Sequence, residues 1–136
     1  MNLSSFYPVL MTHSVAEVAA FYVDRFSFEV TFSADWYVSL RLGDFELAVL
    51  DADHPTVPAG WGAVAGGILL NFEVDDADTV LADLVTAGVP LVQPIRDEAF
   101  GQRHFIVEGP DRVLIDVIQP IPPSQEFVDA YLAEAD

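Results

Sequence analysis

One order of local signals occurs twice along this chain, and few folds accommodate that. Residues 6–12 form a short apolar run that reads as a strand, with Pro8 tolerable near its start or at an edge. Ser14 and Glu17 have the spacing of a capping box, Ser14 accepting from a first-turn amide and Glu17 reaching back. Val15, Val18, Ala19, Tyr22 and Phe26 then recur at helical spacing and predict a helix of about three turns with one buried face. Residues 28–32 read as a strand, and 36–42 with 45–50 as a hairpin around Gly43 and Asp44. The order then begins again. Residues 67–74 predict a strand, Asp75 or Asp76 a helix cap, and Val80, Leu81, Leu84 and Val85 the buried stripe of a second helix that stops at Gly88. Residues 89–95, 103–108 and 113–118 predict three more strands.

Setting Ser14 beside Asp76 aligns Val18 with Val80, Ala19 with Leu81 and Tyr22 with Leu84. The identity between the halves is negligible, but the order and spacing of elements agree. The reading is one α+β domain over residues 1–136, with module one at about 6–51, a linker at about 52–66 and module two at about 67–119. A short C-terminal helix follows at about 124–134, capped by Ser124, with Phe127, Val128, Tyr131 and Leu132 on one stripe. Two half-units of this kind must bury their apolar faces, so a shared core or a cavity between curved sheets is expected.

Charge narrows the partners. The chain carries 22 acidic residues against five basic ones, a net charge of −17, and all five are arginines: Arg25, Arg41, Arg96, Arg103 and Arg112. Such a surface repels phosphate backbones and anionic lipid, so neither nucleic acid nor membrane is expected, while a cationic ligand is tolerated. With no cysteine, disulfides, thiol catalysis and cysteine-ligated metals are excluded. No apolar run approaches the roughly 20 residues of a membrane span. The start shows no export signal, so a cytoplasmic location is expected.

The residue that stands out chemically is Asp116, a carboxylate between Ile115 and Val117 in an apolar strand. Bare burial of such a group is costly, so it needs water, a cation or a donor. An arginine or a tyrosine hydroxyl inside the sheet would satisfy it; so would a metal or a ligand. The histidines form no local metal spacing. His13 reads as a solvated turn residue, His54 as a loop residue able to reach over a cavity, and His104 as a structural or surface residue. Arg103 and His104 point to opposite faces of their strand. The aromatics, among them Tyr7, Phe32, Trp36, Phe45, Trp61, Phe72, Phe100 and Phe105, exceed what one helix seam consumes, so some can line a pocket.

Four stretches carry a resemblance: YPVLMTHSVAEVAAFY from Tyr7 to Tyr22, LLNFEVDDAD from Leu69 to Asp78, FGQRHF from Phe100 to Phe105, and GPDRVLIDVIQ from Gly109 to Gln119. Together they resemble the vicinal oxygen chelate superfamily, which groups glyoxalases, bleomycin-resistance proteins and extradiol dioxygenases. The resemblance implies paired βαβββ modules, a curved mixed sheet around a cavity, and a homodimer. In metal-using members a histidine opens the first strand, another opens the fifth, and a glutamate lies in the last. Here those positions fall on Tyr7, Leu69 and Asp116, so no metal and no cofactor are expected. The turn also departs from the family, with Gly109 and Arg112 where Asp and Gly are usual. Arg112 points to a different turn conformation, because positive φ is costly without glycine.

The resulting expectation is a small-molecule-binding protein that sequesters a cationic or aromatic compound, with Tyr7, Trp36, Leu69, Arg103 and Asp116 around the ligand. Asp116 would anchor a donor or cation, Tyr7 would supply a hydroxyl and Trp36 a stacking face. One alternative is a metal-dependent lyase, isomerase or dioxygenase with atypical ligands such as His54 or His104. Another is a structural or interaction protein whose cavity is closed, with Asp116 tied to an arginine.

Overall fold

The structure is a computed structural model that describes residues 1–132. The chain divides between Gly66 and Gly67 into two units. The first holds β1 (Val9–Thr12), α1 (Val15–Phe26), β2 (Glu29–Ser33), β3 (Tyr37–Leu42) and β4 (Phe45–Asp51). The second holds β5 (Leu69–Glu73), α2 (Ala77–Thr86), β6 (Leu91–Glu98), β7 (Gln102–Glu108) and β8 (Leu114–Pro120). Each unit makes a four-stranded mixed sheet, in the orders β1-β4-β3-β2 and β5-β8-β7-β6. The recurrence in the sequence is thus a recurrence of topology: the first strand of each module pairs parallel with the last, and the rest is an antiparallel meander.

In the first unit the expected helix stripe is the observed one. Val15, Val18, Ala19, Tyr22 and Phe26 are buried, against the sheet face that carries Leu10, Val38, Leu40, Leu47 and Val49. The capping box does not form. Ser14 makes no side-chain cap bond, and its own N–H donates to Thr12 Oγ1 at 3.0 Å. The first strand is shorter than expected, beginning at Val9, because Pro8 has no N–H to give a ladder. The segment after β4 is built from successive turns, with amides of His54, Val57 and Trp61 donating three residues back. Gly62 ends that run against the Ala52 carbonyl, where a Cβ would collide with the oxygen.

In the second unit Asp76 caps α2, accepting from the Thr79 N–H at 3.2 Å and its hydroxyl at 2.8 Å. The α2 stripe is rotated from expectation: Ala77 and Leu84 are fully buried, whereas Val85 is exposed. Two polar bonds fix the start of α2 to one sheet face. Arg103 grips Asp78, and Gln119 Oε1 accepts from the Ala77 N–H at 3.1 Å. That face also carries Phe105, Val107, Ile115 and Val117, all without solvent exposure.

The strands β7 and β8 are joined by a 3₁₀ turn, Pro110–Arg112. Asp111 and Arg112 lie at φ of 60° and 62°, so Arg112 adopts the positive φ that its side chain was expected to avoid. Left-handed backbone is adopted here without glycine, at a cost of roughly 1–2 kcal/mol per residue. The turn is closed by the Gly109 N–H donating to the Val113 carbonyl at 2.8 Å. Beyond β8, a short helix α3 (Gln125–Phe127) continues as a π-helical turn at Val128–Leu132. Ser124 caps it as expected, accepting from the Phe127 N–H. The last two positions of the expected helix lie outside the described residues. Among the described residues no helix is long and apolar enough to cross a membrane.

Candidate functional site

Both sheets have one face covered by their helix and one face without it, and the chemistry is on the latter. In the first unit, strand alternation puts Tyr37, Ser39 and Arg41 opposite the buried Val38 and Leu40. Their cross-strand partners Leu50, Ala48 and Glu46 share that face, as do Val9, Met11 and Phe32. Tyr37 is its centre. Its ring lies 6.2 Å from Phe32 and 5.6 Å from Trp36. Burial raises the Tyr37 pKa above the ordinary phenol value, and the adjacent Tyr7 hydroxyl raises it further. Tyr7, Phe32 and Trp36 are 45%, 51% and 36% exposed, so a broad aromatic surface faces outward. At its edge Glu46 accepts from Ser5 Oγ at 2.7 Å and meets Arg41 at 3.4 Å. The Ser5 bond, with Arg41 behind it, holds that carboxyl below its usual range.

Trp36 precedes β3, and one face of its indole is already used. The His54 imidazole stacks on it with centroids 3.9 Å apart and planes 12° from parallel. The Thr56 N–H donates to His54 Nδ1 at 3.2 Å, which fixes Nδ1 as an acceptor and leaves any ring proton on Nε2. The loop histidine thus extends the aromatic wall as a backing plate.

Nearby in the same unit, His13, Asp51 and Asp53 each offer a ligand atom, all within 4.8 Å of one another. His13 Nδ1 lies 3.2 Å from Asp53 Oδ2, so His13 is paired and not merely solvated. No local spacing foretells this group, because it is assembled by the parallel pairing of Thr12 with Asp51.

In the second unit the helix-free face carries charge. Asp116 is 6% exposed, on a row with Asn71, Ile106 and Gln93; Glu73, Ile118, His104 and Arg96 form the next row. Asp116 is satisfied by a histidine, not by the arginine or tyrosine expected. His104 Nδ1 lies 2.8 Å from Asp116 Oδ1, and His104 Nε2 lies 2.7 Å from Glu98 Oε2. The same Glu98 oxygen accepts from Arg96 Nε at 2.8 Å. Arg96, Glu98, His104 and Asp116 therefore form an alternating chain of charges. Burial pulls the His104 pKa down, but the bonds to Glu98 and Asp116 outweigh it and the net shift is upward. Glu98 is held below its usual range by His104 first and Arg96 second. On the Asp116 row, the Gln93 Nε2 is buried without a partner, a donor that is costly to leave unmatched and that fits an acceptor from ligand or water.

Of the five residues expected at the ligand, Tyr7 and Trp36 lie in the first unit around Tyr37. Leu69 shares the face of Asp116, where it is 46% exposed. Arg103 does not join Asp116. It sits on the helix side, bidentate on Asp78 at 3.0 and 3.1 Å and bonded to Asp97 at 2.9 Å. These carboxylates, Asp78 first, raise its pKa and fasten α2 to the sheet. Sequence reasoning missed Tyr37 and Glu98. Alternation along β3 points to the first; the second lay beyond the strand end drawn at residue 95.

The second-unit residues do not fit a divalent ion. Leu69 has no donor atom, one Asp116 oxygen is occupied by His104, and both nitrogens of His104 are engaged by carboxylates.

Comparison with known proteins agrees with the topology. The sequence model of the Glyoxalase/Bleomycin resistance protein/Dioxygenase superfamily matches residues 6–117. No curated protein matches the sequence. Among solved structures, a glyoxalase/bleomycin resistance protein/dioxygenase family enzyme from Burkholderia phytofirmans PsJN is similar at TM-score 0.74 and 19% identity, over 85% of this chain and 97% of that one. A lactoylglutathione lyase from Agrobacterium tumefaciens is similar at TM-score 0.70 and 17% identity, over 88% and 96%. A family member from Nocardioides is similar at TM-score 0.72 and 18% identity, over 89% and 86%. At these identities the likeness concerns the fold, and the family match over residues 6–117 gives the membership. The chain belongs to the glyoxalase/bleomycin resistance protein/dioxygenase superfamily.

Proposed function

We propose that this protein binds a small aromatic, cationic organic molecule without using the metal centre of its catalytic relatives, and acts in the cytoplasm as a homodimer. The observation that carries the reading is the cluster of Tyr7, Phe32 and Tyr37 on the helix-free face of the first sheet, with the ring of Trp36 beside Tyr37 at the start of β3. Aromatic faces attract flat rings and cations together, and a cation over such a ring gains about 0.5–2 kcal/mol. The net charge of −17 raises the local concentration of cations and repels anions. Four arginines are already matched to carboxylates, Arg41, Arg96, Arg103 and Arg112, which leaves little to recognise an anionic substrate.

The test is fluorescence titration in a Trp61→Phe background, so that Trp36 alone reports. Bleomycin and a phenanthridinium cation are the probes, with neutral phenanthridine as control. Saturable quenching by the cations, weakened roughly tenfold by Tyr37→Ala, supports the reading. Equal affinity for the neutral control, or no effect of Tyr37→Ala, overturns it. Light scattering at the same concentrations reads the oligomeric state.

A second reading is a metal-dependent enzyme with atypical ligands, and the His13, Asp51 and Asp53 group favours it. That reading requires metal to remain after purification without chelator and to be lost in His13→Ala. Metal lost instead in Asp116→Asn would place the ion in the second unit.

A further inference from the structure

The second unit departs from its metal-using relatives in a definite way. Its strand-embedded carboxylate is engaged, and what engages it is a side chain of the same sheet, His104. Ionised carboxylates only accept hydrogen bonds. Asp116 Oδ1 and Glu98 Oε2 lie 2.8 and 2.7 Å from the two nitrogens of one imidazole, so with both carboxylates ionised each nitrogen donates. An imidazole that donates from both nitrogens is an imidazolium. The side chains of His104 and Asp116 are 8% and 9% exposed, so this charge pair is held largely out of water, where breaking it is costly. Arg96 completes the row at Glu98, and no neutral donor intervenes.

We infer that His104, clasped between Asp116 and Glu98, stands in for a divalent cation on this face of the second sheet. Asp116 is therefore an anchor for an internal cation and not a vacant metal ligand. Among the described residues, the other charged groups that the strands place on this face are Glu73 on β5 and Glu108 on β7, and Glu108 is paired with Arg112. The two carboxylates that bear directly on His104 are Glu98 and Asp116. The inference does not rest on the aromatic face of the first unit, and either can fail alone.

Two measurements test it. In the intact wild-type protein, long-range ¹H–¹⁵N correlation at neutral pH should show both His104 ring nitrogens protonated. A single protonated nitrogen overturns the inference. The second is cation rescue. His104→Gly should lower the melting temperature, and added imidazole should restore part of the loss. The double variant His104→Gly with Asp116→Asn should show no such recovery. Recovery that is the same with and without the Asp116 carboxylate overturns the inference, as does micromolar zinc, nickel or manganese binding to wild type that Asp116→Asn abolishes. If His104→Gly does not fold, the wild-type spectrum and the wild-type metal titration still decide.

Discussion

The two helix-free sheet faces occupy the same topological place and carry opposite chemistry. The first presents exposed aromatic rings around Tyr37; the second holds a chain of alternating charges that runs from the exposed Arg96 inward to the buried His104 and Asp116. The duplication therefore constrains the backbone but not the chemistry of the faces. A sheet needs apolar side chains only on the side that meets its helix, and both units supply them there. The other side is left to function, and a ring surface and a clasped cation are two different uses of it.

The largest expected effect tests the part the units share. Phe105→Ala on the helix side of the second sheet should cost about 3–5 kcal/mol in denaturant unfolding, since the ring has no solvent exposure. Phe32→Ala on the exposed face of the first should change stability by about 0.5 kcal/mol or less. Similar losses for both would mean that the aromatic face is core and not surface.

Next comes the clasp. Asp116→Ala should destabilise by about 3 kcal/mol, because it leaves a buried imidazolium without its partner. Arg41→Ala, which breaks an exposed pair with Glu46 on the helix-free face of the other sheet, should cost about 1 kcal/mol or less. A near-neutral Asp116→Ala would end the contrast between the faces.

The pH dependence has a definite sign. The His104 pKa is raised above its ordinary value of 6.5, so its stabilisation is fully present below about pH 6.5 and is lost as pH rises through the raised value. The Glu98 pKa is lowered below its ordinary 4.5, so its contribution is fully present above about pH 4.5 and is lost as pH falls through the lowered value. The difference in melting temperature between wild type and His104→Gln should thus be widest between about pH 4.5 and 6.5 and shrink on both sides. A difference that grows steadily toward alkaline pH would exclude the arrangement.

The smallest effect concerns the β7–β8 turn. Arg112→Gly removes a left-handed arginine at φ 62° and should raise stability by about 1 kcal/mol at most. A loss instead would mean that the Arg112–Glu108 pair, 3.5 Å apart, outweighs the backbone strain.

Some of the site was legible in advance. Asp116 is recognisable as a carboxylate that needs a partner, and the position of the β7–β8 turn sets the register that places His104 on its face. Drawing that register would have named the histidine. Glu98 was harder, because β6 is bulged on both sides of Gln93, and alternation cannot be counted through a bulge. Arg103 and Asp116 lie in one hairpin, yet strand alternation sends their side chains to opposite faces.

By itself the sequence determined the element order, the buried stripe of α1, the cap at Ser124, a cap at Asp75 or Asp76, and the presence of an awkward carboxylate. Each of these depends on residues within a few positions of one another, where propensity and periodicity act. Only the tertiary structure decided that a histidine satisfies Asp116, that α2 turns Leu84 and not Val85 inward, and that His13 meets Asp51 and Asp53. Those outcomes depend on strand pairing across the sheet: β1 lies parallel to β4 and β7 antiparallel to β8. Pairing is set by burying whole faces at once, so no short stretch contains the information.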